Sequence, residues 1–157
     1  MKQQEVKLRF EAHEGSPSFE MVPCTEVAKN RYRLEGSPGF APGVAMGDEI
    51  ELLDAGDLGY RVVERSGNVC IRLFLNRCSD RDRTQMAAMA ERLDGMVDGG
   101  LDTDSSHLLI LTMHLSSGFD AIEQLMEQIT RQFDVDSWMY GNVYDPRDGV
   151  TPLNWWE

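Results

Sequence analysis

The chain has 157 residues, enough for one domain of ordinary size or two small ones sharing a core. A hydrophobic fraction of 41% beside 27% charged residues excludes the composition of a disordered chain. With 27 Asp and Glu against 15 Lys and Arg, the formal net charge is -12, which disfavours nucleic acid and anionic membrane surfaces as partners.

The longest apolar runs, residues 69–75 and 108–111, are far shorter than the roughly 20 residues of a membrane span. Residues 1–14 alternate charged and apolar side chains and lack the apolar stretch of a secretory signal, so a cytoplasmic location is expected. Cys24, Cys70 and Cys78 have no paired close spacing and read as structural thiols.

In chain order, Val6, Leu8 and Phe10 alternate with charged residues as a half-buried strand requires. Further strands are predicted over residues 19–27, 31–34, 49–53 and 60–64. Five short strands in succession predict a small barrel or curled sheet. Between the third and fourth lies Gly36-Ser37-Pro38-Gly39-Phe40-Ala41-Pro42-Gly43, where two Pro-Gly steps set tight turns and Phe40 is placed to plug the barrel mouth. A phosphate loop would lead from a strand into a helix. This segment leads into the acidic, extended Asp48-Glu49-Ile50-Glu51, against that reading.

The turn Ser66-Gly67-Asn68 marks a change of pattern and divides the chain into residues 1–67 and 68–157. After it come a strand over 69–75 and a helix over 80–93, capped by Ser79 or Asp80, with Met86, Met89, Ala90 and Leu93 on one face and Gly95 as its stop. A weak edge strand at 96–101 returns through Thr103-Asp104-Ser105 into a strand at 107–115. A second helix is predicted over 119–133, with Ser116 or Ser117 as cap and Phe119, Ile122, Leu125, Met126, Ile129 and Phe133 as its stripe. A last strand lies near 137–143. The expected fold is thus α+β, a small N-terminal β-barrel-like sheet followed by a ferredoxin-like βαββαβ unit.

Val6-Lys7-Leu8-Arg9-Phe10, Arg31-Tyr32-Arg33-Leu34, Phe40-Ala41-Pro42-Gly43, Gly47-Asp48 and Ser66-Gly67-Asn68 with Arg72 resemble the bacterial proteins grouped as domain of unknown function 4265. The similarity covers roughly residues 5–144. It implies a bacterial, cytoplasmic protein and brings no activity, cofactor or catalytic residue with it. Cys70 stands where the resemblance leads one to expect a small or hydroxylated residue, and Trp155-Trp156 lies outside it.

His107 and His114 are seven positions apart on one predicted strand, so they point to opposite faces and cannot chelate one metal there; either would need His13 or a cysteine from across the fold. No metal, cofactor or catalytic residue is assigned, and the chain is expected not to be an enzyme. Arg72 interrupts an apolar strand. It reads as a structural partner of Asp48 or Glu64, or else as a guanidinium on an open sheet face that binds a ligand carboxylate or phosphate.

Residues 93–130 contain no Lys or Arg but carry Asp94, Asp98, Asp102, Asp104, Asp120, Glu123 and Glu127. These acids read either as a solvated face or as a docking surface for a cationic protein, with Trp138, Tyr140, Tyr144, Trp155 and Trp156 as aromatic anchors. The leading expectation is a non-catalytic immunity-type protein that neutralises a basic bacterial toxin. A small-molecule-sensing module built around Arg72 is the alternative.

Overall fold

The computed structural model describes residues 3–11, 16–54 and 59–157. It is a mixed α+β protein with two antiparallel sheets. The first sheet is a meander of β1 (Gln3–Glu11), β2 (Pro17–Ala28), β3 (Arg31–Leu34), β4 (Glu49–Leu52) and β5 (Tyr60–Glu64), paired in that order. Alternation sends Val6, Leu8, Val22, Cys24, Leu34 and Ile50 into one core.

The expected barrel does not close, because β1 and β5 are the two edges of an open sheet. Strand length is the physical reason. β1 and β2 run nine and twelve residues, whereas β3 and β4 have four each, too few to supply the tilt and stagger of closure. Ala41 and Val44, from the loop joining β3 to β4, pack into the same core and cover its open side. Phe40 plugs nothing. It is 40% exposed and stacks on Phe10 with ring centroids 5.2 Å apart.

The second sheet contains β6 (Asn68–Leu75), β7 (Met96–Asp102), β8 (His107–His114) and β9 (Val135–Tyr140), in the order β7-β8-β6-β9. Helices α1 (Asp80–Glu91) and α2 (Phe119–Gln132) complete it. Parity divides its central strands. Val69, Ile71, Leu73 and Leu75 of β6, with Leu109, Leu111 and Met113 of β8, meet Met86 and Ala90 of α1 and Ile122, Leu125, Met126 and Ile129 of α2. The intervening residues face the other way, where Cys70, Leu108 and Ile110 form a buried cluster with Ala45. The β3–β4 loop is therefore shared by both sheets.

Helix ends differ in how much of their chemistry is local. Ser79 caps α1 in a reciprocal box with Asp82, as its sequence predicts. The left-handed residue after α1 is Asp94 (φ 58°), not the expected Gly95, whose amide then closes the end by donating to Ala90 O. Neither serine caps α2. Its first turn starts at Gly118 without a side-chain cap, and the Ser117 hydroxyl donates to Leu93 O instead.

Carboxylates hold the shared loop in place. Glu20 on β2 accepts the amides of Gly39, Phe40 and Ala41 at 2.7, 2.9 and 2.9 Å. Asp48, fully buried, accepts those of Ala45 and Ser66 at 3.0 and 2.9 Å. Asp98 on β7 accepts the Ser37 amide at 3.0 Å. Gly39 passes so close to β8 that an added Cβ would lie 3.1 Å from Ile110 Cδ1 and 3.3 Å from Leu108 Cδ2. Glu20→Ala leaves three amides without their acceptor and is expected to cost about 1–3 kcal/mol in urea unfolding, with Glu20→Gln costing less because it keeps one oxygen. Equal stability of Glu20→Ala and wild type would show that water replaces the carboxylate.

Candidate functional site

Arg72 lies on the β6 face that receives the shared loop. It is 7% exposed, yet its predicted acid partners are engaged elsewhere: Asp48 pairs with Arg65 at 3.4 Å and Glu64 with Arg31 at 3.6 Å. Strand parity explains the difference. Arg72 emerges beneath Ala41, and its Nη2 donates to the Ala41 carbonyl at 2.6 Å, while Nε has no hydrogen-bond partner. Among the described residues, none of the resolved ion pairs includes Arg72. A guanidinium this deeply desolvated ordinarily has a carboxylate beside it.

The strand-following residue Gly141 makes room for it. A Cβ there would stand 3.2 Å from Arg72 Nε, 3.3 Å from Cζ and 2.8 Å from the Cys70 sulfur. Only a residue without a side chain lets the backbone lie flat on the guanidinium.

Arg72 forms part of the wall of an open cleft of about 770 Å³ between the two sheets and the C-terminal segment. One side carries the stacked pair Phe10 and Phe40. Trp138, Tyr140 and Tyr144 stand on the other, with Trp138 edge-on to Tyr140 at 5.2 Å. The rim adds Glu11, Glu123, Asp145 and Arg147. Glu123 accepts the Tyr140 hydroxyl at 3.1 Å, and Asp145 takes the Arg147 guanidinium at 2.7 Å. Burial first, then the neighbouring Glu123 charge, pushes the Tyr140 phenol upward.

The acidic residues singled out in the sequence differ in how they are engaged within the chain. Asp98 turns inward, receiving the Thr112 hydroxyl at 2.6 Å as well as the Ser37 amide. Asp102 is neutralised by Arg83 at 3.0 Å and touches His107 Nδ1 at 2.8 Å. Glu127 pairs with Arg131 at 3.6 Å. Asp94, Asp104 and Asp120 remain exposed, Asp94 at the end of α1, Asp104 in the β7–β8 turn and Asp120 in the first turn of α2. The aromatic tail is docked on the fold. Trp155 donates to Asn142 O at 2.8 Å and carries the Arg65 guanidinium 5.2 Å over its ring, and Trp156 meets Phe119 edge-on at 5.2 Å.

The sequence pattern did not reveal the cleft, because its walls come from β1, the β3–β4 loop, β9 and the C-terminal segment. Arg72, which interrupts an apolar strand, and aromatic residues near both ends of the chain were its signals.

A family model described as a domain of unknown function (DUF4265) matches residues 20–136. The chain belongs to this family. The match is narrower than the resemblance read from the sequence and excludes Phe10, β9 after Asp136 and the tail. No curated protein is a match. A crystal structure of a hypothetical protein from Neisseria gonorrhoeae is similar, with a TM-score of 0.65 and 12% identity over 90% of this chain and 95% of that one, a likeness of fold.

Elsewhere in this DUF4265 chain, Cys70, His107 and His114 have partners within the fold. Cys70 is sealed and its thiol is pushed up to about 11, by burial foremost, against the pull of Arg72. His114 Nδ1 contacts Ser116, while His13 lies outside the described residues. Among the described residues, no three His, Cys, Asp or Glu side chains are grouped to hold a metal ion, and no helix is long and apolar enough to cross a membrane.

Burial raises the carboxyls of Asp48 and Asp98 above their ordinary value of 3.8, despite the hydrogen bonds that pull them down. Asp102, Asp145 and Asp148 move the other way, Asp148 to about 2, each held down first by a side-chain hydrogen bond. A raised carboxyl binds its proton more tightly in the folded state than in the unfolded chain. Its contribution to stability is therefore complete below 3.8 and disappears as pH rises through the folded value. Asp98→Asn keeps an acceptor for Ser37 and Thr112 without the charge. Its stability relative to wild type is expected to rise in urea titrations as pH increases from 3.8 through the raised folded value. A pH-independent difference would place Asp98 in water.

Proposed function

We propose that this protein is a non-catalytic, small-molecule-binding regulatory module that takes an anionic ligand in the cleft beside Arg72. The observation that carries this reading is an arginine only 7% exposed, with a cleft in front of it and, among the described residues, no carboxylate paired with it. Folding alone gives no reason to keep such a charge, since burying an ion without a counter-ion costs several kcal/mol. A ligand anion would supply the missing partner. The surroundings fit recognition better than chemistry: the cleft offers aromatic surface, a guanidinium and carboxylates engaged by Tyr140 and Arg147, and the sealed Cys70 thiol is poorly ionised.

The second unit, residues 68–157, fits a ferredoxin-like architecture in this reading. Its antiparallel order β7-β8-β6-β9 and two helices support that assignment, with residues 1–67 as a companion sheet that closes the cleft. Three free cysteines fit a reducing, cytoplasmic setting.

A second reading, an immunity-type protein that blocks a basic toxin, draws on the exposed Asp120, Glu123 and Glu127 of α2. It is the weaker of the two because Asp98 and Asp102 are engaged internally and both tail tryptophans are half-buried. Reversing Asp120 and Glu127 to lysine would abolish protection against a toxin encoded beside the gene. Unchanged protection would remove this reading.

Arg72→Met decides whether the guanidinium serves folding or binding. For a binding role, the unliganded variant is expected to unfold within about 1 kcal/mol of wild type, because the lost bond to Ala41 is offset by relief of an unpaired charge. Small anions such as phosphate, pyruvate and phenylacetate are then screened for a rise in melting temperature. At least one should stabilise wild type and leave Arg72→Met unmoved. A loss above about 3 kcal/mol in the free variant, or an equal response in both proteins, would assign Arg72 to structure.

A further inference from the structure

Taking the Arg72 cleft as a binding site, as proposed above, we infer that its ligand is an aromatic monocarboxylate, the acid group seated on Arg72 and the ring between the Phe10–Phe40 stack and Tyr144. Charge sets the first limit. Among the described residues Arg72 has no acid partner, whereas the rim holds Glu11 and Glu123, and Arg147 is already clamped by Asp145. A single ligand charge finds a guanidinium matched to carboxylate geometry. A second charge finds carboxylates and the field of a chain at -12.

Phosphate recognition also lacks its usual donors. Consecutive loop amides make the concave nests that hold phosphoryl oxygens. Here the amides of Gly39, Phe40 and Ala41 all point at Glu20, so the loop is filled by the chain's own carboxylate.

Apolar surface sets the second limit. Phe40, Met139 and Tyr144 are 40%, 49% and 39% exposed and all line this one cleft. Phe10 and Phe40, stacked with 21° between planes, form an aromatic part of its wall. A flat ring can lie on such a wall, and aromatic pairs gain from offset or edge contact beyond the area they bury.

Binding is measured on the full chain by calorimetry and by tryptophan fluorescence, with phenylacetate and 3-phenylpropionate as probes. Phenylacetamide, acetate and phenyl phosphate serve as comparisons. The two aromatic carboxylates are expected to bind at least about tenfold more tightly than any comparison, and Arg72→Met to lose at least about tenfold. Phe40→Ala, at an exposed position, should weaken phenylacetate but not acetate, and it keeps the test open if Arg72→Met fails to fold. Tighter binding of phenyl phosphate or acetate, or a Phe40→Ala protein that binds phenylacetate as wild type does, overturns the ligand class and leaves the anion site standing. Absence of binding by every anion, or undiminished binding by folded Arg72→Met, overturns the cleft reading itself.

Discussion

The fold depends on carboxylates that accept backbone amides from irregular segments. Glu20, Asp48 and Asp98 together receive the amides of Ser37, Gly39, Phe40, Ala41, Ala45 and Ser66. A loop trapped between two sheets has no ladder to join, and each buried N–H left unpaired would cost about as much as a lost hydrogen bond. Side chains that accept without donating solve this, and an acidic chain has them in excess. The acids thus serve the interior as well as the surface.

This solution fixes where positive charge goes. Asp48 has Arg65 beside it, and Arg65 in turn lies over Trp155 and donates to Gly43 O, tying the tail to the shared loop. Asp98 has only hydroxyl and amide donors, so its carboxyl is raised by burial. Arg72 and Glu20 form no ion pair among the described residues. Tyr60 lies in the fields of both, its phenol pushed upward chiefly by burial, with Arg72 opposing and Glu20 adding. Glu20 can offset Arg72 at a distance, but its oxygens are spent on the loop amides. That allocation leaves the guanidinium with Ala41 O but, among the described residues, no ion-pair partner.

Local patterns in the sequence carried the elements well, and nonlocal packing decided what they missed. Strand parity on β1 and the stripe Ile122, Leu125, Met126 and Ile129 on α2 are written in periodicity, so these elements were legible. The capping box of Ser79 and Asp82 is equally local. Barrel closure was not legible, since it depends on shear between strands of unequal length. The α2 start failed for a related reason: Leu93, from another element, draws the Ser117 hydroxyl away. Asp98 looked like a surface acid because β7 is an edge strand; a register shift between Val97 and Gly99 is where its side chain meets Thr112. Arg72 was recognised as anomalous, while its surroundings depended on the loop docking over β6.

The choice of arginine at position 72 follows from the geometry around it. A lysine ammonium is a compact, strongly hydrated point charge that needs donors directed all round, whereas a guanidinium is planar and tolerates flat, dry contact on its faces. Gly141 covers one face closely enough that a Cβ would not fit, and Ala41 O receives one edge. A plane fixed on one face and one edge has its remaining orientation set before any ligand arrives. Such a cation loses little side-chain entropy on binding, so a single well-placed carboxylate can be recognised despite the repulsion of the chain's overall charge, which salt screens beyond about 8–10 Å.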